Sequence, residues 1–397
     1  MPDVRLMPIT GINNTAEDAR LHQRGEATSL HVRKAENVDV TPAGKVTSRA
    51  AVIQRSGEGY KNLWQSPLHG DVFASKDGKW LKMGMWEAPD VELAVIGNGR
   101  VEHIVLNNLV CASTPNGLMT FNGSDAQRLT IDTPAKPLLM QTSGGSLLSG
   151  QYGVAVSWIR GGTESAVSDL ATIQALESSG MDVVLPLCMD ESVTTVRVYI
   201  TRTDGGELLQ HSEHPISTPQ VTISALGKLG QAAKFRHLSP MPAGSHLCYW
   251  QGRIITASAN VLRFSEAMAY HLHDERHGFV QMPQRITFIQ PVGGGLWVGQ
   301  VDHVAFLQGS SPDELTIQRK QSQPPVPDSS TIVDAEVVGS ELSAGGGKCA
   351  VWLARNGYVA GNPQGQLIEL HSGILSKIHA NYGSTALVGR RLYTSAT

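Results

Sequence analysis

The densest concentration of chemically capable side chains lies at residues 271–277, HLHDERH, where three imidazoles and two carboxylates occupy seven positions. On a strand, His271, His273 and His277 would share one face, as a metal site needs. No cysteine pair and no second histidine cluster completes a coordination sphere, so the stretch also reads as an exposed polar loop with pH-responsive imidazoles. Both readings stay open.

Other chemistry is weaker. Ser75-Lys76-Asp77-Gly78-Lys79-Trp80 is similar to the Asp-box of sialidase propellers but lacks its second glycine and its threonine and occurs once. Such boxes are structural turns, and nothing pairs an acid with a base for glycosidase work. Gly293-Gly294-Gly295 and Gly345-Gly346-Gly347 do not continue as a lysine-bearing phosphate loop opening a helix, so both read as turns. Gly117, after Ser113-Thr114-Pro115, makes no nucleophile elbow. We assign no catalytic, cofactor-binding or metal-ligating residue, and expect neither an enzyme nor a cofactor.

Cys111, Cys188, Cys248 and Cys349 stand far apart, with no paired spacing, and read as buried free thiols. Near the N-terminus Arg20, Arg24, Arg33, Lys34, Lys45, Arg49 and Arg55 are interleaved with Glu17, Asp18, Glu26, Glu36 and Asp39. That mixture suits a solvated surface or a salt-bridge strip between subunits better than a phosphate-binding arm. With 32 Lys+Arg against 35 Asp+Glu over 397 residues, a net charge of −3 argues against a protein whose task is gripping phosphates. No leading apolar segment and no run of about 18 apolar residues suggests a cleaved signal or a membrane span.

The elements that must position these residues are short. Glycine reaches 41 residues beside 20 prolines, which demands frequent turns. A small hairpin is expected at NVDVTPAGKVTSR, from Val38 and Val40 through Pro42-Ala43-Gly44 to Lys45-Val46-Thr47. Thereafter short apolar runs alternate with glycine-containing turns: Val72–Ala74 with Asp77-Gly78 and Trp80-Leu81, then Leu109–Ala112 and Leu118–Phe121 around Asn116-Gly117, closed by Asn122-Gly123. Asn-Gly and Asp-Gly suit type I′ hairpins because both central residues need positive φ. The pattern resumes around Ile254, Trp297, Tyr358 and Leu392, several intervals being near the ~40–50 residues of a propeller blade.

Between residues 137 and 236 the texture changes to longer alternating runs at sandwich spacing. The expectation is therefore an all-β chain: a β-propeller of about five to six blades, an inserted Ig/fibronectin III-like β-sandwich and an extended N-terminal arm. The divisions are 1–49 (arm and hairpin), 50–136 (first propeller part), 137–236 (insert) and 237–397 (second propeller part). A single β-sandwich of the same strands is the alternative.

GINNTAEDARL followed by AENVDVTPAGKVTSRA resembles the opening of bacteriophage virion proteins that begin with a Gly-Ile/Val-Asn-Asn element ahead of a β-propeller. YWQGRIITASANVLRFSEAMAY and GGGLWVGQVDHVAFLQG are similar to their blade segments, and GQYGVAVSWIRGGTESAVSDLATI with VRVYITRTDGG to the fibronectin-like insert such tail proteins carry. The resemblance spans the chain from Gly11 onward and is to hub or nozzle proteins of short-tailed phages. It implies a virion protein, made in the bacterial host cytoplasm, that forms a homo-oligomeric, hexameric ring below the connector. Its partners would be its own copies, the connector or adaptor, other tail proteins, and double-stranded DNA passing through the lumen without specific binding. The alternative is a tail-associated binding propeller recognising a glycan or another tail protein, with Trp80, Trp86, Trp250 and Trp297 as stacking candidates. A propeller hydrolase ranks third.

Overall fold

A computed structural model describes residues 8–21, 30–41, 43–49, 57–68, 70–84, 88–339, 346–389 and 391–397. Arg24, Glu26, Pro42, Arg55, Trp86 and Gly345, named above, lie outside the described residues.

The short apolar runs fold into antiparallel meanders because the turns between them demand the backbone their residues supply. Lys76 pairs with Lys79 across Asp77 and Gly78, at φ 51° and 74°, the type I′ geometry that suits a right-twisted hairpin. Asn107 and Asn108 do the same between Leu106 and Leu109, at φ 49° and 61°. One expected turn shifts by a residue. Thr114 pairs with Gly117, so Pro115 and Asn116 are the central pair. The proline ring keeps φ negative and excludes type I′, and Gly117 takes the positive φ of 123° instead.

The chain is all-β, built from the four-stranded blades of a β-propeller with an inserted sandwich. The first blade comprises Lys61–Gln65, Val72–Lys76, Lys79–Lys82 and Val91–Val95; the second, Glu102–Leu106, Leu109–Thr114, Gly117–Phe121 and Ala126–Arg128. The third is built on His246–Trp250, Arg253–Ser258, Val261–Glu266 and Ala269–His273. The fourth runs Ile286–Val292, Gly295–Gln300, Val304–Gln308 and Thr316–Lys320; the fifth, Thr331–Asp334, Lys348–Ala354, Gly357–Gly361 and Leu367–Glu369. The last expected repeat, around Leu392, is a two-stranded hairpin, Gly383–Val388 with Arg391–Ala396.

Inner blade strands read as continuous apolar runs because both their faces are covered. In Leu109–Thr114, Val110 and Ala112 join the core of Phe73, Trp80 and Phe121, while Cys111 points the other way into the core of Leu247, Ile254 and Tyr270. In Lys348–Ala354, Ala350, Trp352 and Ala354 pack with Phe288, Trp297 and Phe306, whereas Cys349 and Val351 pack with Val333 and Ala360. The two-residue strand period thus cements successive blades from both sides.

The insert is a sandwich of a three-stranded sheet (Leu138–Leu147, Ser179–Val184, Gln220–Ile223) and a five-stranded sheet centred on Gly150–Arg160. Tyr152, Val154, Val156 and Trp158 face the core between the sheets, with Met181, Val183, Val196 and Val198. The opposite face is covered too, where Ala155 packs with Val167, Tyr199 and Leu208.

At the N-terminus Ile9–Ile12 pairs in parallel with Leu30–Val32, and Val38–Val40 forms a hairpin with Val46–Ser48. The described part of the arm is therefore made of short extended strands paired with one another. The chain divides into two compact units, Asn62–Thr256 with Leu262–Val280, and Met1–Lys61 with Ala257–Val261 and Gln281–Thr397.

Candidate functional site

HLHDERH does not present three imidazoles to one ion. The strand ends at His273, and Asp274 Oδ1 accepts the Arg276 backbone N–H at 2.8 Å, turning the chain away. His271 Nε2 donates to the Glu164 carbonyl at 2.8 Å, buried His273 places Nδ1 3.0 Å from the Phe264 carbonyl, and exposed His277 approaches Asp274 Oδ2 at 3.2 Å. Among the described residues no group of three or more His, Cys, Asp or Glu is arranged to hold a metal ion. Partial burial works to raise the Asp274 pKa, but the Arg276 N–H, His277 and the Arg276 guanidinium prevail and hold it at about 2. Burial lowers His271, with Arg160 adding to the effect, and the Glu164 carbonyl opposes it.

Three of the four tryptophans proposed as stacking platforms, Trp80, Trp250 and Trp297, are core residues. Trp80 and Trp297 are 0% exposed and Trp250 3%. Trp80 Nε1 donates to His103 Nε2 at 3.0 Å, and Trp297 Nε1 to the Asn362 carbonyl at 3.0 Å. Buried this deeply, none of these three indoles offers a face that a sugar ring can reach. The glycines at 293–295 connect two strands of the fourth blade. A Cβ on Gly294 would lie 2.0 Å from the Pro363 carbonyl oxygen, and on Gly295 2.0 Å from that of Leu307. Backbone, not phosphate, fills that space.

A polar cluster that sequence reading missed lies on the sandwich. Ser157, Arg197 and Glu213 stand in one row across three strands. Glu164 reaches this row from the hairpin arm: its Oε1 accepts from Ser157 Oγ at 2.6 Å and Tyr199 OH at 2.5 Å, and its Oε2 from Arg197 at 2.6 Å. Arg197 also holds Glu213 at 2.6 Å. Burial and then the hydrogen bond to Glu164 push Tyr199 up to about 12. Burial disfavours the Arg197 charge, yet Tyr199, Glu213 and Glu164 together raise its pKa. Neither group exchanges protons near neutrality, so the cluster is a brace. The one available signal was the alternation of Arg197 and Tyr199 with valines along VRVYI.

The same arm attaches the sandwich to the blades of its unit. Glu164 offers its carbonyl to His271, Phe235 meets the His271 ring edge-on at 6.3 Å, and Arg160 donates to the Arg128 carbonyl at 2.7 Å.

A second arrangement joins segments far apart in the chain. Asn13 Oδ1 accepts the backbone N–H groups of Thr15 and Ala16 at 3.1 and 3.0 Å, an Asx turn that presents Asn14. Asn14 Nδ2 donates to the Ser376 carbonyl at 2.9 Å, and the Ser376 N–H donates to Asn14 Oδ1 at 2.9 Å. The Asn14 N–H reaches the Ile374 carbonyl at 3.0 Å, and Thr15 Oγ1 the Gly373 carbonyl at 2.5 Å. Nearby basic residues pair within the chain: Arg33 with Asp18 at 2.6 Å, Arg49 with Asp39 at 3.1 Å, and Lys34 with Glu36.

No family model matches the chain, and no curated protein matches it. Solved structures similar to it include a chain of the BBS1N–ARL6DN complex, at 11% identity and a TM-score of 0.35, covering 85% of this chain and 90% of that one. A functionally unknown protein from Desulfotomaculum acetoxidans DSM 771 gives 10% identity and a TM-score of 0.33, over 80% and 87%. The computationally designed Ika8 protein gives 12% and 0.26, over 86% and 94%.

Proposed function

We propose that the chain is a structural component of a short-tailed bacteriophage tail, a hub or nozzle protein forming a ring with its own copies, through which genomic DNA passes. The observation that carries this reading is the Gly11–Asn14 element. It is the first motif of the resemblance: Asn13 Oδ1 closes the turn that presents Asn14, and Asn14 with Thr15 hydrogen-bonds to residues 373–376. The other resembling segments likewise supply blade strands, the hairpin of Val38–Val40 with Val46–Ser48 and the insert's central strand, so the shared residues maintain a scaffold. A net charge of −3 suits a conduit in which a polyanion must slide rather than bind. The glycan-binding alternative has lost Trp80, Trp250 and Trp297 as platforms.

The test is the oligomeric mass of the full chain and class averages of its particles. A six-fold ring with a central hole supports the proposal. A monomer at all concentrations, absent from the tail of any particle assembled with it, rejects it.

A further inference from the structure

In the unit that contains the fourth and fifth blades, a pocket of about 300 Å³ is lined by Arg285, Arg355, His379, Asn381 and the segment Pro324–Pro327. No aspartate or glutamate is among its described lining residues. Neither guanidinium has a carboxylate partner among the described residues. Asp302, beside the lining residue Val301, is engaged by His303 Nδ1 at 2.6 Å, and Asp328, which follows Pro327, does not line the pocket.

The walls are pinned by the backbone. The Arg285 carbonyl accepts the Val301 N–H at 3.1 Å, the Arg355 carbonyl accepts the Ile378 N–H at 2.9 Å, and the Val326 N–H donates to the Leu353 carbonyl at 2.8 Å. The Gly383 N–H holds the Pro327 carbonyl at 2.8 Å and the Asn381 N–H the Thr397 carbonyl at 2.7 Å. Two like charges thus line one concave site because the scaffold holds their backbones there, and among the described residues no carboxylate lines it beside them. Pro324, Pro325 and Pro327 have no N–H, and the Val326 N–H is already donated to Leu353, so along this lining segment ligand recognition falls to the polar side chains.

We propose that this pocket binds a small phosphate-class oxyanion, inorganic phosphate or a phosphate monoester. The guanidinium forks supply charge-assisted, two-pronged hydrogen bonds, with His379 and Asn381 as further polar contacts. The volume accommodates a phosphate group with a small substituent and is at the lower end for ligand sites. This inference is independent of the ring assembly proposed above.

The experiment is calorimetric titration of the full chain with inorganic phosphate and with a sugar phosphate, against sodium chloride at matched ionic strength. We expect saturable binding at one site per chain. Arg285→Ala and Arg355→Ala should each weaken it roughly tenfold or more, with unchanged melting temperature in the absence of phosphate. Arg355→Lys, which keeps the charge but loses the fork, should fall between. A stronger response to the sugar phosphate identifies the monoester as the ligand form, and equal responses identify the free ion. The proposal is overturned if phosphate and chloride act alike, or if the variant carrying both Arg285→Ala and Arg355→Ala binds phosphate as the wild type does.

Discussion

Asn14 and Ser376 exchange two hydrogen bonds across 362 positions of sequence, each 2.9 Å long, the amide side chain of one matching the backbone of the other. Such pairing mimics a strand register with a single side chain. Asn14→Ala removes both bonds and leaves the Ser376 N–H without its partner. Each exposed bond contributes about 0.5–1.5 kcal/mol, so local opening should become roughly tenfold more frequent while global stability changes little. Hydrogen exchange at the Ser376 amide reads this directly. Unchanged protection would mean that the neighbouring Ile374 and Gly373 contacts suffice.

The fourth and fifth blades are joined by aromatic packing. Trp297 and Trp352 have ring centroids 5.5 Å apart, with Phe306 and Phe288 completing the set at 4.9 and 5.3 Å. Trp352→Ala should cost about 3–5 kcal/mol, measured as a lower denaturant midpoint. A surface stacking platform would lose little stability on the same change, so the measurement separates core from ligand shelf.

The brace on the sandwich gives an asymmetric pair of outcomes. Glu164→Gln keeps one oxygen to accept from Ser157 and Tyr199, and although its NH2 cannot accept from Arg197, Arg197 retains Glu213, so this change should be the milder one. Arg197→Ala leaves Glu164, only 12% exposed at its side chain, without its cation and should cost about 3 kcal/mol or more. Equal effects of the two changes, in equilibrium unfolding monitored by near-ultraviolet circular dichroism, would contradict a cation-dependent brace.

What was legible in the sequence was whatever depends on near neighbours. Asp77-Gly78 announces its turn because few other residues tolerate two positive φ angles in succession, and LVCAST and CAVWLA announce inner strands because both faces are covered. Pro115 illustrates a local conflict: its fixed φ overrides the Asn-Gly signal beside it. Glu164, Arg197 and Tyr199 were illegible because their contacts span more than 30 residues and depend on which strands of the sandwich pair. The two readings of HLHDERH could not be separated for the same reason, since a shared face required a strand through His277, whereas Asp274 captures the Arg276 N–H after the strand ends at His273.

Thiol chemistry should follow burial. Burial pushes Cys111 up to about 12 and also raises Cys248 and Cys349, whereas Cys188, likewise raised, is half-buried. A maleimide applied to the native protein near neutral pH should label Cys188 slowly and the other three only after unfolding. Peptide mass mapping scores the order, and early labelling of Cys111 would show that its blade opens.

His103 should make stability fall in acid. It is stacked on Trp64, with centroids 5.2 Å apart and planes 9° from parallel, and its Nε2 accepts the Trp80 indole N–H. That bond requires an unprotonated Nε2, and burial lowers the pKa from 6.5 to about 3. Above the unfolded value of about 6.5 both states are neutral and the full stability is present. As pH falls from there toward 3, the unfolded chain takes up a proton that the folded chain refuses, so stability is lost progressively, on the order of 4 kcal/mol across the window. His103→Gln retains an acceptor for Trp80 but cannot titrate. Urea midpoints measured from about pH 7 down to about pH 3.5 should decline less steeply in this variant than in the wild type. Parallel curves would assign the acid sensitivity to other groups.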